Sequence, residues 1–314
     1  MYKISRPGID RSIASASGAT RDGQPLSYNR APSGDLAPWV ARCYVTIVDA
    51  PANHHLSCGL FNDTACLRIQ LRGKWTAQTA DGVEQMEQAA LYFGPHSRRM
   101  PISVTGSFIS VGASLRPGAA HALGGAATSE HVDRLTPIEA LGLFSERWLR
   151  LFDPAADAES WIQAMEHELR RQFVRRGAAE PDPFVGKLEA AAFVDPTISV
   201  KRFADEAGIE QRRLERLVKR DFGLTPKQVL RRARALDMAS HLRGVADREE
   251  AESLALRYYD QSHLIRDFGA LFGMSPRQFV ERSQPLLTLG LETRQSCRLE
   301  MLERLAPGDI RPWQ

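Results

Sequence analysis

No apolar stretch in this sequence approaches the roughly 18 to 20 residues needed to span a bilayer. Its polar start, Met1 to Ser33, also lacks the apolar segment of a secretory signal. These absences predict a cytoplasmic chain without a membrane partner, beginning in a loosely ordered segment. Cysteine is scarce: Cys43, Cys58, Cys66 and Cys297 form no CxxC pair, which argues against a disulfide framework or a four-cysteine zinc site and predicts reduced, mostly buried thiols. The histidines His54, His55, His96, His121 and His131 show no clear two-histidine-plus-carboxylate spacing, so no metal and no other cofactor is expected. A catalytic constellation is missing too, which argues against an enzyme. A net charge of +3 is too mild to identify a nucleic-acid partner by itself.

What is present is an ordinary globular composition, 43% hydrophobic and 25% charged over 314 residues, enough for two domains with their own cores. The first half reads as β-rich. Leu67, Ile69 and Leu71 alternate with Arg68, Gln70 and Arg72, the period of a half-buried strand. Asp81-Gly82 predicts a hairpin turn between Trp75–Thr79 and Val83–Glu87. Further strands are expected at Val40–Val48, Ala90–Phe93, Ile102–Thr105 and Phe108–Leu115, which together suggest a sandwich or barrel. After Arg116-Pro117-Gly118 the character becomes helical. Trp161, Met165, Leu169 and Phe173 recur every four residues, predicting an amphipathic helix over Ala158–Arg175 that faces either a core or another domain.

The fold class that follows is α+β. The expected boundaries are a flexible N-terminus at 1–35, a β-rich domain with C-terminal helices at 36–176, a linker at 177–183, a helical domain at 184–282 and a tail at 283–314. The tail shows only a short helical pattern, Leu299 to Leu305.

Within the helical half, Phe222-Gly-Leu-Thr-Pro-Lys-Gln-Val229 is echoed fifty residues later by Phe272-Gly-Met-Ser-Pro-Arg-Gln-Phe279, so one supersecondary unit is used twice. In each copy a glycine ends one helix, Thr225 or Ser275 caps the next, proline takes its first position, and Gln228 or Gln278 completes a capping box. Upstream of the first copy, Ser199 caps a helix over Val200–Ala207, Gly208 permits a left-handed turn, and Gln211–Phe222 forms a second helix. Ala204 is small where the two helices cross, and Leu214, Leu217 and Phe222 face inward.

This leaves Gln211, Arg212, Arg213, Glu215, Arg216, Lys219 and Arg220 on the outside. Arginine can bond guanine bidentately and glutamate can accept from cytosine, as a recognition helix in the major groove requires. In the second unit, Glu249–Tyr258 leads into a helix capped by Asp260, with Leu264 and Phe268 inward and Gln261, Ser262, His263 and Arg266 outward. The intervening helix, from Pro226 to about Arg243, is about 27 Å long, suited to setting two recognition helices into successive turns of the major groove. Charge distinguishes the units: 11 Lys and Arg stand against 5 Asp and Glu over Val200–Arg234, but 6 against 8 over Ala235–Arg282.

The segment Lys187–Arg282 resembles the AraC/XylS family of transcription regulators, on Ala204–Gly208, Leu214–Gly223, Arg234–Leu242, Tyr258-Tyr-Asp-Gln-Ser-His-Leu-Ile-Arg-Asp-Phe268 and Gly273-Met-Ser-Pro276. The resemblance implies two helix-turn-helix units on one face of double-stranded promoter DNA, with Arg212, Glu215, Arg216, Gln261, Ser262, His263 and Arg266 as contacts. Arg257 stands where the family has glycine, and Gly269 and Ala270 stand where it has basic residues, so the second unit is expected to bind less strongly. A weaker resemblance, centred on Val111–Gly118, implies a cupin-like barrel that senses a small-molecule effector and forms a homodimer, with RNA polymerase a further partner for an activator. The competing reading is a cupin-like metal enzyme, or a methyl-accepting protein using Cys43, Cys58 or Cys66, delivered to DNA by the helical domain.

Overall fold

The computed structural model describes residues 6–247 and 261–314. The expected helix Glu249–Tyr258, the Asp260 cap and Arg257 lie outside the described residues, as do the side chains of Gln261, Ser262, His263 and Leu264.

An antiparallel sheet fills the first half. Its strands are β1 (Ala14–Ser15), β2 (Tyr28–Arg30), β3 (Val40–Asp49), β4 (His55–Leu60), β5 (Cys66–Thr79), β6 (Gly82–Met86), β7 (Ala89–Phe93), β8 (Met100–Leu115) and β9 (Leu135–Pro137). The main path runs β1-β3-β8-β5-β7-β9, with β2 on β3, β4 on β8 and β6 on β5. Two long strands organise it. The Ile102–Thr105 and Phe108–Leu115 segments are one strand, β8, whose first part pairs with β4 and whose second part pairs with β3. β5 pairs along β8 with register shifts at Gln70/Arg72 and Arg72/Lys74, irregularities of the kind that bend a sheet. The hairpin sits one residue earlier than expected, because Thr79 pairs with Gly82 and the turn is Ala80-Asp81.

One face of this sheet is covered by α1 (Ala119–Ala122), α2 (Ser145–Leu149) and α3 (Ala158–Arg175). Trp161, Met165, Leu169 and Phe173 of α3 pack with Cys43, Val45, Leu67, Ile69 and Val111 in one apolar cluster. The helical stripe is therefore core of the β-rich half.

The remaining helices are α4 (Pro183–Val194), α5 (Val200–Ala207), α6 (Gln211–Phe222), α7 (Pro226–Leu242), α8 (Gln261–Phe272), α9 (Pro276–Glu281) and α10 (Pro285–Met301). The two units are packed differently. The first has a core of its own, in which Val185, Leu188, Phe203, Leu214, Val218, Phe222 and Val229 meet. The second shares its core with the sheet: Phe268, Phe272 and Phe279 belong to one cluster with Leu60, Phe61, Trp75 and Phe108. Phe61 meets Phe272 edge-on at 5.1 Å, and Arg99 donates its backbone N–H to Leu271 O at 2.7 Å.

Both ends of the chain depart from expectation. Residues 6–35 are tied into the fold rather than loose: Gly8 N–H donates to Val280 O, Arg30 binds Glu159 and Glu166 on α3, and Gln24 and Ser27 are buried. The tail forms the 17-residue helix α10, which ends where the expected Leu299–Leu305 pattern has barely begun. α10 packs on β3, β4, α4 and α7, and Trp313 beyond it is buried, its indole N–H bonding Glu292 at 3.3 Å.

Candidate nucleic-acid interface

The turns of the first unit follow from local chemistry. Ser199 accepts from the Arg202 N–H, Gly208 and Gly223 adopt left-handed conformations at φ +68° and +76°, and Thr225 and Gln228 form the reciprocal capping box. Ser275 and Gln278 repeat that box before α9, behind Gly273 at φ +70°. Four local signals therefore place α6 against α5, with Ala204 and Leu214 buried at the crossing. Val218 is fully buried on the inner face and Leu217 only half-buried, a one-residue rotation from the expected inward set.

The outer face of α6 is not uniform. Gln211, Arg212, Arg213, Glu215, Arg216 and Lys219 are exposed, whereas Arg220 is half-buried. Arg220 forms a bidentate pair with Asp221 at 2.7 Å on both arms, and the Asp221 carboxylate is buried. Arg213 leans toward α4, 3.8 Å from Asp182 and over the Phe184 ring at 5.3 Å. Gln211 donates to Glu215 at 2.9 Å. Arg212, Arg216 and Lys219 take no part in an ion pair among the described residues, and their i, i+4, i+7 spacing puts them on one stripe. The sequence treats all of these cations alike, whereas the structure separates two with internal partners from three that face solvent.

The C-terminal end of α6 is docked on the β-rich half. A Cβ at Gly223 would lie 2.7 Å from Val132 Cγ2 and 3.0 Å from Thr128 O, so only glycine permits this approach. The N-terminal end of α6, the end that meets base edges in helix-turn-helix proteins, points away from that contact. In the second unit Arg266 is exposed on α8, and Asp267 next to it pairs with Arg231 of α7 at 2.8 Å.

α7 joins the units and is buried on most of its circumference. Arg232 donates to His96 O at 2.8 Å and to Asp63 O, and burial pushes its guanidinium down to about 10. Asp237, with no exposed surface, pairs with Arg294 and, at 3.2 Å, with Arg298, both on α10. Arg294 reaches on to Asp63 in the β4–β5 connection at 2.9 Å. These residues carry no sequence signal, because their partners are far apart along the chain.

A cavity of about 90 Å³ lies between the sheet and α4, α7 and α10. Its sheet wall carries polar Tyr44, Thr46, Arg68 and Ser110 beside apolar Leu60, Trp75 and Phe108, and helices supply the opposite wall, so the strands do not enclose it alone. Of the cysteines, Cys66 and Cys297 line this cavity and Cys43 and Cys58 do not. Burial pushes the Cys43 thiol up to about 12 and that of Cys297 to about 11, and also raises Cys58 and Cys66, which disfavours the reactive thiolate. His54 pairs with Asp10, His55 with Thr105 and His131 with Thr136. Among the described residues no group of three or more His, Cys, Asp or Glu is placed to hold a metal.

Residues 203–282 match a family model described as a helix-turn-helix domain. No curated protein matches the sequence. Solved structures that align with this chain include ToxT from Vibrio cholerae, at 7% identity and a TM-score of 0.43 over 86% of this chain and 98% of that one. A form of ToxT bound to an unsaturated fatty acid aligns at 7% identity and 0.42, over 87% and 96%. The AraC-like transcriptional activator CuxR aligns at 13% and 0.27, over 67% and 86%. With its two capped turns and its exposed basic helix, the segment at 203–282 is a helix-turn-helix domain.

Proposed function

We propose that both units engage one promoter site, that α6 is the dominant reader, and that an effector in the cavity between sheet and helices sets the affinity or geometry of binding. The observation that carries the first part is the stripe of Arg212, Arg216 and Lys219, solvent-facing on a helix whose opposite side is locked into the core of the first unit. Arg216 and Glu215 read base edges in this account, with Arg212 and Gln211 beside them, and Lys219 binds phosphate. Arg213 and Arg220 reach DNA only by leaving Asp182 and Asp221. Gln261, Ser262, His263 and Arg266 form the weaker second contact.

The effector part rests on shared walls. An occupant of the cavity touches Leu236 on the connecting helix and Arg294 on α10 at the same time as the sheet, so its binding energy can be spent on the relation between the sheet and the DNA-reading helices. Double-stranded promoter DNA and a small molecule are the primary partners. A second copy of the chain, and RNA polymerase where the outcome is activation, complete the set in a cytoplasmic setting. No described helix is long and apolar enough to cross a membrane. Footprinting of the full chain on DNA tests the reading: protection of a defined site that Arg216→Ala weakens supports it, and uniform, sequence-blind protection refutes it.

A further inference from the structure

The cavity-facing residues of β5 follow from strand alternation. Leu67 and Ile69 point into the cluster with α3, so Cys66, Arg68 and Gln70 face the other way. Their partners on β8 are Ser114, Gly112 and Ser110. Glycine at 112 is required by contact: a Cβ there would lie 2.3 Å from Tyr44 Oη. That space lets Tyr44 accept from Arg68 Nε at 2.9 Å, while the guanidinium lies 4.8 Å from the centre of the Phe93 ring and 5.5 Å from that of Tyr44. The arginine is held in orientation by two aromatic rings and one hydroxyl.

Its charge is not balanced in the same way. Three arginines line the cavity. Arg42 pairs with Glu300, and Arg294 pairs with Asp63 and Asp237. Arg68 has no carboxylate partner among the described residues. Next to it, the hydroxyl of Ser110, a residue 3% exposed, lines the cavity and has no hydrogen-bond partner among the described residues. Folded proteins leave few buried polar groups unmatched, and a half-buried cation at a cavity wall favours a counter-charge beside it. These two groups on one cavity wall point to a ligand that satisfies both.

We infer that this cavity binds a small organic carboxylate, its anionic end on the Arg68 guanidinium and a second polar group on Ser110. The inference rests on the proposed effector-responsive reading and names the class of effector. At about 10–15 Å³ per water-sized occupant, 90 Å³ holds about six to nine small non-hydrogen atoms. A carboxylate is planar and matches the two outer N–H edges of a guanidinium, which Tyr44 leaves open by taking Nε. The remaining wall includes Trp75, Phe108 and Leu289, which suits an apolar body.

The test uses the full chain, with thermal melting and calorimetric titration against sodium pyruvate and sodium benzoate, and with benzamide and inorganic phosphate as controls at constant ionic strength. The expected result is saturable stabilisation by at least one of the two carboxylates at millimolar concentration and no response to benzamide. Apparent affinity should fall at least ten-fold in Arg68→Gln and several-fold in Ser110→Ala. Should Arg68→Gln fail to fold, Ser110→Ala, which removes only a hydroxyl, gives the decision. Absence of any carboxylate response, an equal response to benzamide, a response to phosphate alone, or unchanged affinity in the variants overturns the inference. Specific DNA binding is measured on the same preparations. If it persists without a carboxylate response, only the ligand class fails; if wild type shows no specific site, the regulator reading itself fails.

Discussion

Asp237→Asn replaces a carboxylate by an amide of nearly the same shape at the point where the connecting helix α7 meets α10 and the sheet. In the wild type the carboxylate is fully buried between Arg294 and Arg298, themselves 5% and 2% exposed at the side chain, and Asp63, 26% exposed, balances the second charge. Removing one partner of a buried ionic cluster costs about 3–5 kcal/mol, because the remaining charge stays enclosed. Asp63 lets water and its own charge reach Arg294, which favours the lower end, about 3 kcal/mol. Each kcal/mol lowers Tm by roughly 2–4 °C in domains of a few hundred residues, so a fall of roughly 6–12 °C is expected. Urea unfolding and thermal melts followed by circular dichroism measure both quantities. Asp35→Asn is the control, since its pair with Arg170 is 40–51% exposed and should be worth under about 1 kcal/mol. If the two variants cost the same, the buried cluster does not hold the two halves of the molecule together.

Other expectations follow from the same geometry. Arg216→Ala should weaken specific binding by roughly 1–3 kcal/mol and relax discrimination at one base pair, and Arg266→Ala should cost less; titrations at fixed salt compare them. Lys219→Ala should weaken binding evenly across sequences and flatten the salt dependence, whereas Arg220→Ala should also lower Tm because it strands the buried Asp221 carboxylate. A fragment of residues 184–282 keeps the first unit's own core but leaves Phe268, Phe272 and Phe279 without the sheet and α10. Circular dichroism should therefore show partial helicity, with DNA contacts confined to the first unit; a fully cooperative melt of the fragment would contradict this. Burial pushes His96 down to about 4 from an ordinary 6.5, so the unfolded chain binds the proton first. That contribution to stability is present above pH 6.5 and is lost as pH falls toward 4, with a steeper acid decline in wild type than in His96→Gln.

Local signals were legible and long-range ones were not. The helix boundaries at Ser199, Gly208, Thr225 and Ser275 are set by contacts within a few residues, and the strand around Leu67–Leu71 shows itself by a period of two. β4, His55-Leu-Ser-Cys-Gly-Leu60, alternates as well, but it is short, holds no β-branched or aromatic residue and is held by pairing with β8. α10 was hidden for a different reason. Glu292, Arg294, Gln295, Ser296 and Arg298 are all buried among its leucines, so it has no polar face, and the charges of Glu292, Arg294 and Arg298 are met by Asn29, Asp63, Asp237 and Arg311 elsewhere in the chain. Residues 6–35 have the composition of a loose segment but are fixed by backbone and side-chain bonds to α3, α9 and the chain end. On α6 the exposed face followed from periodicity, while the engagement of Arg213 and Arg220 depended on where Asp182 and Asp221 come to lie.

Selection of bound duplexes from a random DNA pool by the full chain tests the central claim most directly. Two unequal half-patterns about one helical turn apart are expected, since α7 is roughly 25 Å long, with the stronger half lost in Arg216→Ala and enrichment of about 10³ or more over non-specific DNA. No enriched sequence, or a stronger half that survives Arg216→Ala and disappears in Arg266→Ala, would contradict the account.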